Sequence, residues 1–147
     1  MALSGPDVAC WLVKSAGWPD GLPRDPTGTV TLRRCLRPTY RLDLLRPGQP
    51  CVLWVSGRVE PGVGAVGWLA SGVDVGVDGP GAGVHVELAV LPSAVPRADL
   101  VADARFRTAE VVRMAAGSNP SYLDAVQFEA VLDRLGPDAP AGWPLRR

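Results

Sequence analysis

Residues 51–77, CVLWVSGRVEPGVGAVGWLASGVDVGV, determine the expected fold. The opening CVLWV is an uninterrupted apolar run, which is typical of a strand that is buried on both faces. Residues 63–77 are rich in Val and Gly, and glycines inside such a stretch indicate bulges or a close approach of another backbone. This segment therefore predicts a buried strand followed by one or two bulged strands.

The chain on either side adds further strands. Short apolar runs with turn residues at their ends share the pattern of strands, and they occupy residues 8–13, 30–36, 84–91 and 109–114. The 30–36 run is also compatible with one irregular turn. Residues 79–83, GPGAG, are predicted to form a turn or a loop.

The helices are expected to be few and short. Residues 39–45 and 96–104 are candidates, and the clearest helix covers residues 124–135. There Asp124 and Gln127 have the spacing of a capping box. Apolar residues at 128, 131, 132 and 135 form one stripe along the helix, and Gly136-Pro137 ends it.

The composition supports one mostly β domain. The chain has 147 residues, 47% of them apolar, which is enough for one hydrophobic core. Its 17 Gly and 15 Pro disfavour a helical bundle. We expect a single domain over residues 8–136 and a loose C-terminal tail over residues 137–147.

The charges balance overall but are distributed unevenly. Fifteen basic and fifteen acidic side chains argue against a strong nonspecific polyanion binder. Residues 24–46 hold six Arg and two Asp, whereas residues 58–103 hold two Arg and six acidic residues. One basic side can still steer a phosphate backbone.

The cysteines indicate neither a metal site nor a redox pair. Cys10, Cys35 and Cys51 are widely spaced and form no CxxC motif, so buried structural thiols in a reduced, cytoplasmic protein are the simpler interpretation. No apolar run approaches the roughly 20 residues that span a bilayer. We therefore expect no cofactor, no metal and no membrane association.

Two motifs resemble catalytic signatures without their required context. Residues 62–67, GVGAVG, match GxGxxG, but Trp68 and the Val and Gly residues after it do not open the helix that a dinucleotide site needs. His85-Val86-Glu87 matches the HxE of zinc deaminases, but no PCxxC follows it. We interpret the first as a glycine-rich strand and His85 as a strand residue at the surface or rim. We therefore expect no enzymatic activity.

Three segments, in order, resemble the EVE family of the PUA-like superfamily. They are a tryptophan-led strand ending in Lys-Ser, then a short Arg-containing helix, a turn, an aromatic strand ending in Ser and a glycine-bearing strand, and last the loop before the final helix. These are WLVKS at 11–15; RPTYR at 37–41, PGQP at 47–50, VLWVSG at 52–57 and GAVG at 64–67; and RMAAGSNP at 113–120.

The resemblance implies an α+β, mostly β fold, namely a PUA-like small β-barrel with short decorating helices. It also implies a nucleic-acid-binding module that holds one flipped and modified base, for example a methylated cytosine in DNA, without catalysis. The partner would be DNA or RNA with a modified base, and a role beside a restriction or modification system would fit. Five Trp against two Phe and two Tyr suit base stacking.

The resemblance and the strand alternation together predict the site residues. Trp54 would stack on the base, with Trp18 or Tyr40 as the opposite wall. Ser15, Ser56 and Asn119 would bind the polar edge of the base, while Arg37 and Lys14 would lie at the rim. Arg33, Arg34 and Arg41 would contact phosphates.

Other interpretations remain open at this stage. Trp11, Trp54 and Trp68 are also compatible with core packing, and Asn119-Pro120 with a structural turn. The arginines are also compatible with a solvated surface or with ion pairs to Asp25 and Asp43. Alternative functions are an enzyme or sensor that binds a small nucleotide-like ligand in the same pocket, and a protein-interaction module.

Overall fold

The computed structural model describes residues 2–76 and 81–145. Seven strands and three α-helices lie in this part of the chain: β1 (Cys10–Ala16), β2 (Val30–Cys35), β3 (Pro50–Ser56), β4 (Gly62–Leu69), β5 (Asp74–Val75), β6 (Ala82–Pro96), α1 (Arg97–Ala102), α2 (Glu110–Arg113), β7 (Ser121–Leu123) and α3 (Ala125–Leu135). Three 3-10 helices occupy Gly5–Asp7, Tyr40–Leu44 and Gly136–Asp138. The mostly β prediction is confirmed.

The strands form one sheet in the order β2-β6-β4-β3-β1-β7, with β5 beside β6. Strands β1 and β3 are parallel, and the other pairs are antiparallel. The prediction of a closed barrel is wrong for the described residues, because no strand pairing joins β2 to β7. The backbone N–H of Arg37 donates to the Asn119 carbonyl at 2.9 Å, but Pro38 and Pro120 lack the N–H groups that would extend this contact into a ladder.

Both faces of the central strands are buried, as the apolar run at residues 51–55 predicts. One face carries the helix-side core, which includes Leu12, Trp54, Val66, Phe106 and Phe128. The other carries the opposite-face core, which includes Trp11, Val13, Leu53, Ala65 and Val86. Neighbouring residues of one strand therefore fall into different cores, which is the expected alternation.

The glycine-rich interpretation of residues 62–67 is also confirmed. They form the first part of β4, which is buried throughout and has a register shift between Val63 and Ala65 where it pairs with β6. A Cβ at Gly67 would overlap the Glu87 carbonyl oxygen of the neighbouring strand. Glycine is therefore required there for the two backbones to approach.

The helix at the C-terminal end forms as its capping signals predict. The Asp124 side chain accepts from the Gln127 N–H at 2.8 Å, and the Gln127 side chain accepts from the Asp124 N–H at 2.9 Å. Phe128, Val131 and Leu135 are buried in the helix-side core. The candidate at 96–104 is helical over Arg97–Ala102, while the one at 39–45 is the 3-10 helix Tyr40–Leu44.

The strand predicted at residues 109–114 is wrong. This segment contains the single helical turn α2, which buries Ala109 and Val111 in the helix-side core. The place beside β1 is taken instead by β7, which pairs Leu12 with Ser121. Because β7 has only three residues, it is too short to show a strand pattern, and the sequence does not predict it.

The segment predicted to be a loose tail packs against the sheet up to Leu145. Trp143 is 6% exposed, donates from Nε1 to the Gly67 carbonyl at 2.7 Å and meets the Phe128 ring edge-on. Trp68 donates to the Leu145 carbonyl at 3.1 Å. Residues 146–147 lie outside the described residues, as do residues 79–80 of the predicted 79–83 turn. Ala82 and Gly83 from that turn begin β6.

No helix within residues 2–76 and 81–145 has the length and apolar character needed to cross a bilayer.

Candidate functional site

The parallel pairing of β1 and β3 brings the carboxyl ends of both strands to the same edge of the sheet. Lys14 is opposite Trp54, and Ala16 is opposite Ser56. Beyond the strands, the Gly17 N–H donates to the Ser56 carbonyl at 2.9 Å. The Ser56 hydroxyl donates to the Ser15 carbonyl at 3.2 Å. The ends of the two sequence motifs WLVKS and VLWVSG therefore lie next to each other at this edge of the sheet.

Two clefts open at this edge. The Trp54 cleft is lined by Lys14, Trp54, Ser56, Gly57, Pro61, Arg97, Val111 and Ala115. The Trp18 cleft is lined by Ala16, Gly17, Trp18, Arg24, Val55, Ser56, Gly57, Arg58, Val59, Glu60, Gly64 and Ala94. The two clefts share only the lip formed by Ser56 and Gly57. Because Trp54 belongs to the helix-side core and Trp18 packs on the opposite-face core, they cannot form two walls around one base.

In the Trp54 cleft, the indole is sealed. Trp54 is 3% exposed, and its ring stacks on Phe106 with the centroids 5.7 Å apart and the planes 15° apart. The cleft has a volume of about 320 Å³, near the lower end for ligand pockets. Trp54 thus supplies an apolar floor and offers no open face, which agrees with the core-packing interpretation.

In the Trp18 cleft, the indole is accessible and its position is fixed. Its Nε1 donates to the Leu22 carbonyl at 2.6 Å, and the Arg24 guanidinium carbon lies 4.9 Å from the ring centroid. A Cβ on Gly64 would come within 2.7 Å of Cζ3 of the indole, so the ring packs directly on the backbone of β4. The cleft measures about 520 Å³.

Lys14 and Asn119 serve mainly to hold the loop before β7. The Lys14 ammonium donates to the carbonyls of Met114, Ala115 and Gly117 at 3.2, 3.5 and 2.8 Å. Burial lowers the pKa of this amine. The Asn119 amide accepts from the Lys14 N–H at 2.7 Å and donates to the Lys14 carbonyl at 3.1 Å. Both groups predicted to meet the base are therefore already bonded within the protein.

A third depression, the Asn119 groove, holds three further predicted residues. Arg37, Tyr40 and Arg41 line this groove of about 390 Å³ together with Asn119. The hydroxyl of Tyr40 accepts from the Leu3 N–H at 2.7 Å, and the residue is 51% exposed. The predicted site residues are therefore distributed over three neighbouring depressions rather than gathered in one pocket. Ser15 is 6% exposed and donates to the Gly17 carbonyl at 2.7 Å.

The three arginines predicted to meet phosphates are engaged inside the protein. Arg33 pairs with Asp74 at 2.7 Å, and Arg34 donates to the Lys14 carbonyl at 3.2 Å. Arg41 makes two bonds to the Glu110 carboxylate, of 2.8 and 2.6 Å. The acidic partners of Arg33 and Arg41 are not the Asp25 and Asp43 considered from the sequence. Sheet pairing and the 3-10 helix bring acids that are distant in sequence to these two arginines.

Glu110 is a structural residue that the sequence analysis missed. Besides Arg41, it accepts from the Ser121 hydroxyl at 2.9 Å. The Arg41 hydrogen bonds hold the pKa of the Glu110 carboxyl below its usual value, although burial opposes this. The sequence around residue 110 contains no local pattern that predicts an ion pair with a partner 69 positions away.

Four other arginines are exposed beside the clefts. Arg24 and Arg58 line the Trp18 cleft, Arg97 lines the Trp54 cleft and Arg37 lines the Asn119 groove. Among residues 2–76 and 81–145, none of the four has a carboxylate at ion-pair distance. They are better placed than the three arginines predicted to meet phosphates to contact an anionic polymer.

The single histidine lies away from both clefts, in contact with a serine and an acid. The Ser71 hydroxyl is 3.5 Å and an Asp74 carboxylate oxygen 3.9 Å from the same nitrogen of His85, Nδ1. A nucleophilic relay needs the acid and the hydroxyl on opposite ring nitrogens, so this arrangement lacks that geometry.

The three cysteines are free thiols: Cys10 and Cys51 are buried as predicted, whereas Cys35 is exposed, so the prediction of a buried thiol is wrong there. Burial raises the pKa of Cys51 to about 12. The described part of the chain brings together no group of three potential metal ligands.

The comparisons with known proteins rest on structure. No family model matches the chain, and no curated protein matches its sequence. A hypothetical protein from Leishmania major has a TM-score of 0.67 at 14% identity, over 89% of this chain and 96% of that one. A protein from Pseudomonas syringae scores 0.66 at 16% identity, over 86% of this chain and 99% of that one.

Human THYN1, in a complex with DNA that contains 5-methylcytosine, scores 0.59 at 14% identity, over 88% of this chain and 99% of that one. These similarities show that the chain shares the fold of those proteins.

Proposed function

We propose that this protein is an EVE-type nucleic-acid-binding module that stacks one extruded base on Trp18, without catalysing a reaction. The carrying observation is that this indole lines an open cleft, where only the side chain of the exposed Arg24 lies over it and would move aside for a base. The other four tryptophans are at most 6% exposed, whereas Trp18 is half-buried and lines an open cleft. Stacking of a base on an aromatic side chain is worth about 1–3 kcal/mol.

The walls of the Trp18 cleft suit a flat heterocycle. Val55, Val59, Ala94 and Gly64 give it an apolar side, and Ser56 gives it a polar group. Its volume of about 520 Å³ lies within the usual range for small ligands. Of the residues proposed from sequence, Trp18 and Ser56 keep a direct role here, while Trp54 and Ser15 act from the protein interior.

Arginines around the cleft provide contacts for the backbone of a nucleic acid. Arg24 and Arg58 line the cleft itself, and Arg97 and Arg37 lie beside the neighbouring depressions. A planar guanidinium binds phosphate with two parallel hydrogen bonds, so a few such groups suffice. The zero net charge then limits nonspecific binding without preventing local attraction.

The structural similarity to THYN1 supports DNA as the partner and 5-methylcytosine as the first base to test. A fluorescence titration of the protein with two oligonucleotides that differ only in the methylation of one cytosine tests the proposal. We expect the methylated oligonucleotide to quench the emission of Trp18. Trp18→Ala should weaken binding by about 1–3 kcal/mol, roughly 5-fold to 150-fold.

Tyr40→Ala is the matched control, because it removes an exposed ring from a different depression. Both variants should keep the circular dichroism spectrum of the wild type. If Trp18→Ala binds the methylated oligonucleotide as tightly as Tyr40→Ala does, the base does not stack on Trp18.

A further inference from the structure

The Trp54 cleft is lined by two cationic side chains, Lys14 and Arg97. Ser56 also lines it, but its hydroxyl proton is donated to the Ser15 carbonyl at 3.2 Å. None of its lining residues is acidic. Because the Lys14 ammonium already bonds three carbonyls, it contributes charge to the cleft, and direct contacts fall to Arg97.

The surroundings strengthen an interaction with an anion. Trp54, Val111 and Pro61 form an apolar floor, and charges interact more strongly beside a poorly polarisable surface than in bulk water. Arg97 is exposed, and within residues 2–76 and 81–145 no carboxylate lies at ion-pair distance from it. Its guanidinium is therefore available to a ligand.

The position of the cleft relates it to the Trp18 cleft. The two clefts meet at the Ser56-Gly57 lip, which lines both of them. Gly57 has a φ of 115°, which favours glycine, and a Cβ there would meet nothing within 4 Å. The lip is therefore low and open, so a ligand can cross it from one face of the sheet to the other.

We propose that the Trp54 cleft is a phosphate subsite, in which Arg97 binds a phosphate next to the base held by Trp18. This inference rests on the proposed function. It assigns a nucleotide a divided binding mode, with its base on one face of the sheet edge and its phosphate on the other. The Ser56-Gly57 lip lies under the sugar.

NMR titrations of the ¹⁵N-labelled protein test the subsite with four probes: inorganic phosphate, 5-methyl-2′-deoxycytidine, and the 5′- and 3′-monophosphates of that nucleoside. We expect inorganic phosphate to shift the Gly57 amide and the Arg97 Nε–H signals, but not the Trp18 indole signal. One of the monophosphates should bind about tenfold more tightly than the nucleoside, because a charged hydrogen-bonded pair is added.

Arg97→Gln should abolish the advantage of the monophosphate and leave the affinity for the nucleoside unchanged. Arg107→Gln is the matched control, since Arg107 is also an exposed arginine and lines neither cleft. An advantage that persists in Arg97→Gln, or Gly57 and Arg97 signals that phosphate does not move, would overturn the subsite. If the nucleoside leaves the Trp18 signal unmoved while phosphate shifts Gly57, the subsite stands and the base-stacking proposal fails.

Discussion

Gly64→Ala tests whether the β4 backbone holds the Trp18 indole in place. The added Cβ would lie 2.7 Å from Cζ3 and 3.4 Å from Cη2 of the indole, and 3.4 Å from Cγ2 of Val55. Ordinary van der Waals contact begins near the last of these distances. The ring must therefore move by about 0.7 Å, the difference between 3.4 and 2.7 Å.

The consequence should be a modest loss of stability and a clear change at the cleft. The obstacle is the outer end of a half-buried side chain, so we place the cost near the low end of overpacking, about 1 kcal/mol. The displaced ring also strains the 2.6 Å bond from Nε1 to the Leu22 carbonyl. We expect base affinity to fall by about fivefold, which corresponds to about 1 kcal/mol of lost stacking.

Gly67→Ala provides the contrast, because its Cβ would overlap the Glu87 backbone, which cannot turn aside. Urea unfolding and the fluorescence titration together measure both effects. Gly64→Ala should remain folded with weaker binding, whereas Gly67→Ala should lose much of its stability. Wild-type affinity and wild-type emission in Gly64→Ala would show that β4 does not position the indole.

Two further predictions concern Arg24 and Glu110. Arg24→Ala should increase the quenching of tryptophan emission by acrylamide, because the Arg24 guanidinium lies over the ring of Trp18. The other four tryptophans are at most 6% exposed and should contribute little to this change. Unchanged quenching would contradict the stacked contact. Glu110→Gln should lower stability at pH 7 by about 2 kcal/mol, the scale of a charged hydrogen bond. Since the pKa of Glu110 is depressed in the folded state, its contribution is present above the ordinary value of 4.5 and is lost as the pH falls through the folded value. As the pH is lowered from 7 to 3, the midpoint temperature of thermal unfolding should therefore fall more steeply for the wild type than for Glu110→Gln. Parallel curves for the two proteins would exclude the ion pair as the cause.

The sequence predicted the elements whose signals are local. The buried strand at residues 51–55 and the capped helix after Asp124 each depend on neighbours within a few positions, and both form as expected. The strand β7 depends on a partner more than 100 positions away, since Leu12 pairs with Ser121. A three-residue segment that gains its structure from such a partner leaves no local pattern.

The candidate site shows the same division. Ser15 and Ser56, which the sequence analysis placed in one site, lie at the same edge of the sheet, because β1 and β3 are adjacent parallel strands that end there. Strand alternation correctly predicts that Trp54 and its neighbours Leu53 and Val55 face opposite sides of the sheet. It does not predict which of the two hydrophobic cores each side contacts. Arg33 and Arg41 pair with Asp74 and Glu110 through tertiary contacts. The sequence around these arginines therefore does not reveal that they are engaged within the protein.

The placement of β1 between β3 and β7 has a consequence for synthesis on the ribosome. Until residues 121–123 emerge, β1 is an edge strand with unpaired backbone groups, and Lys14 has no loop to hold. Such an edge invites pairing with other chains, so a nascent or prematurely ended chain is prone to aggregate. The proposed binding surface is thus completed only when residues 121–123 have left the exit tunnel.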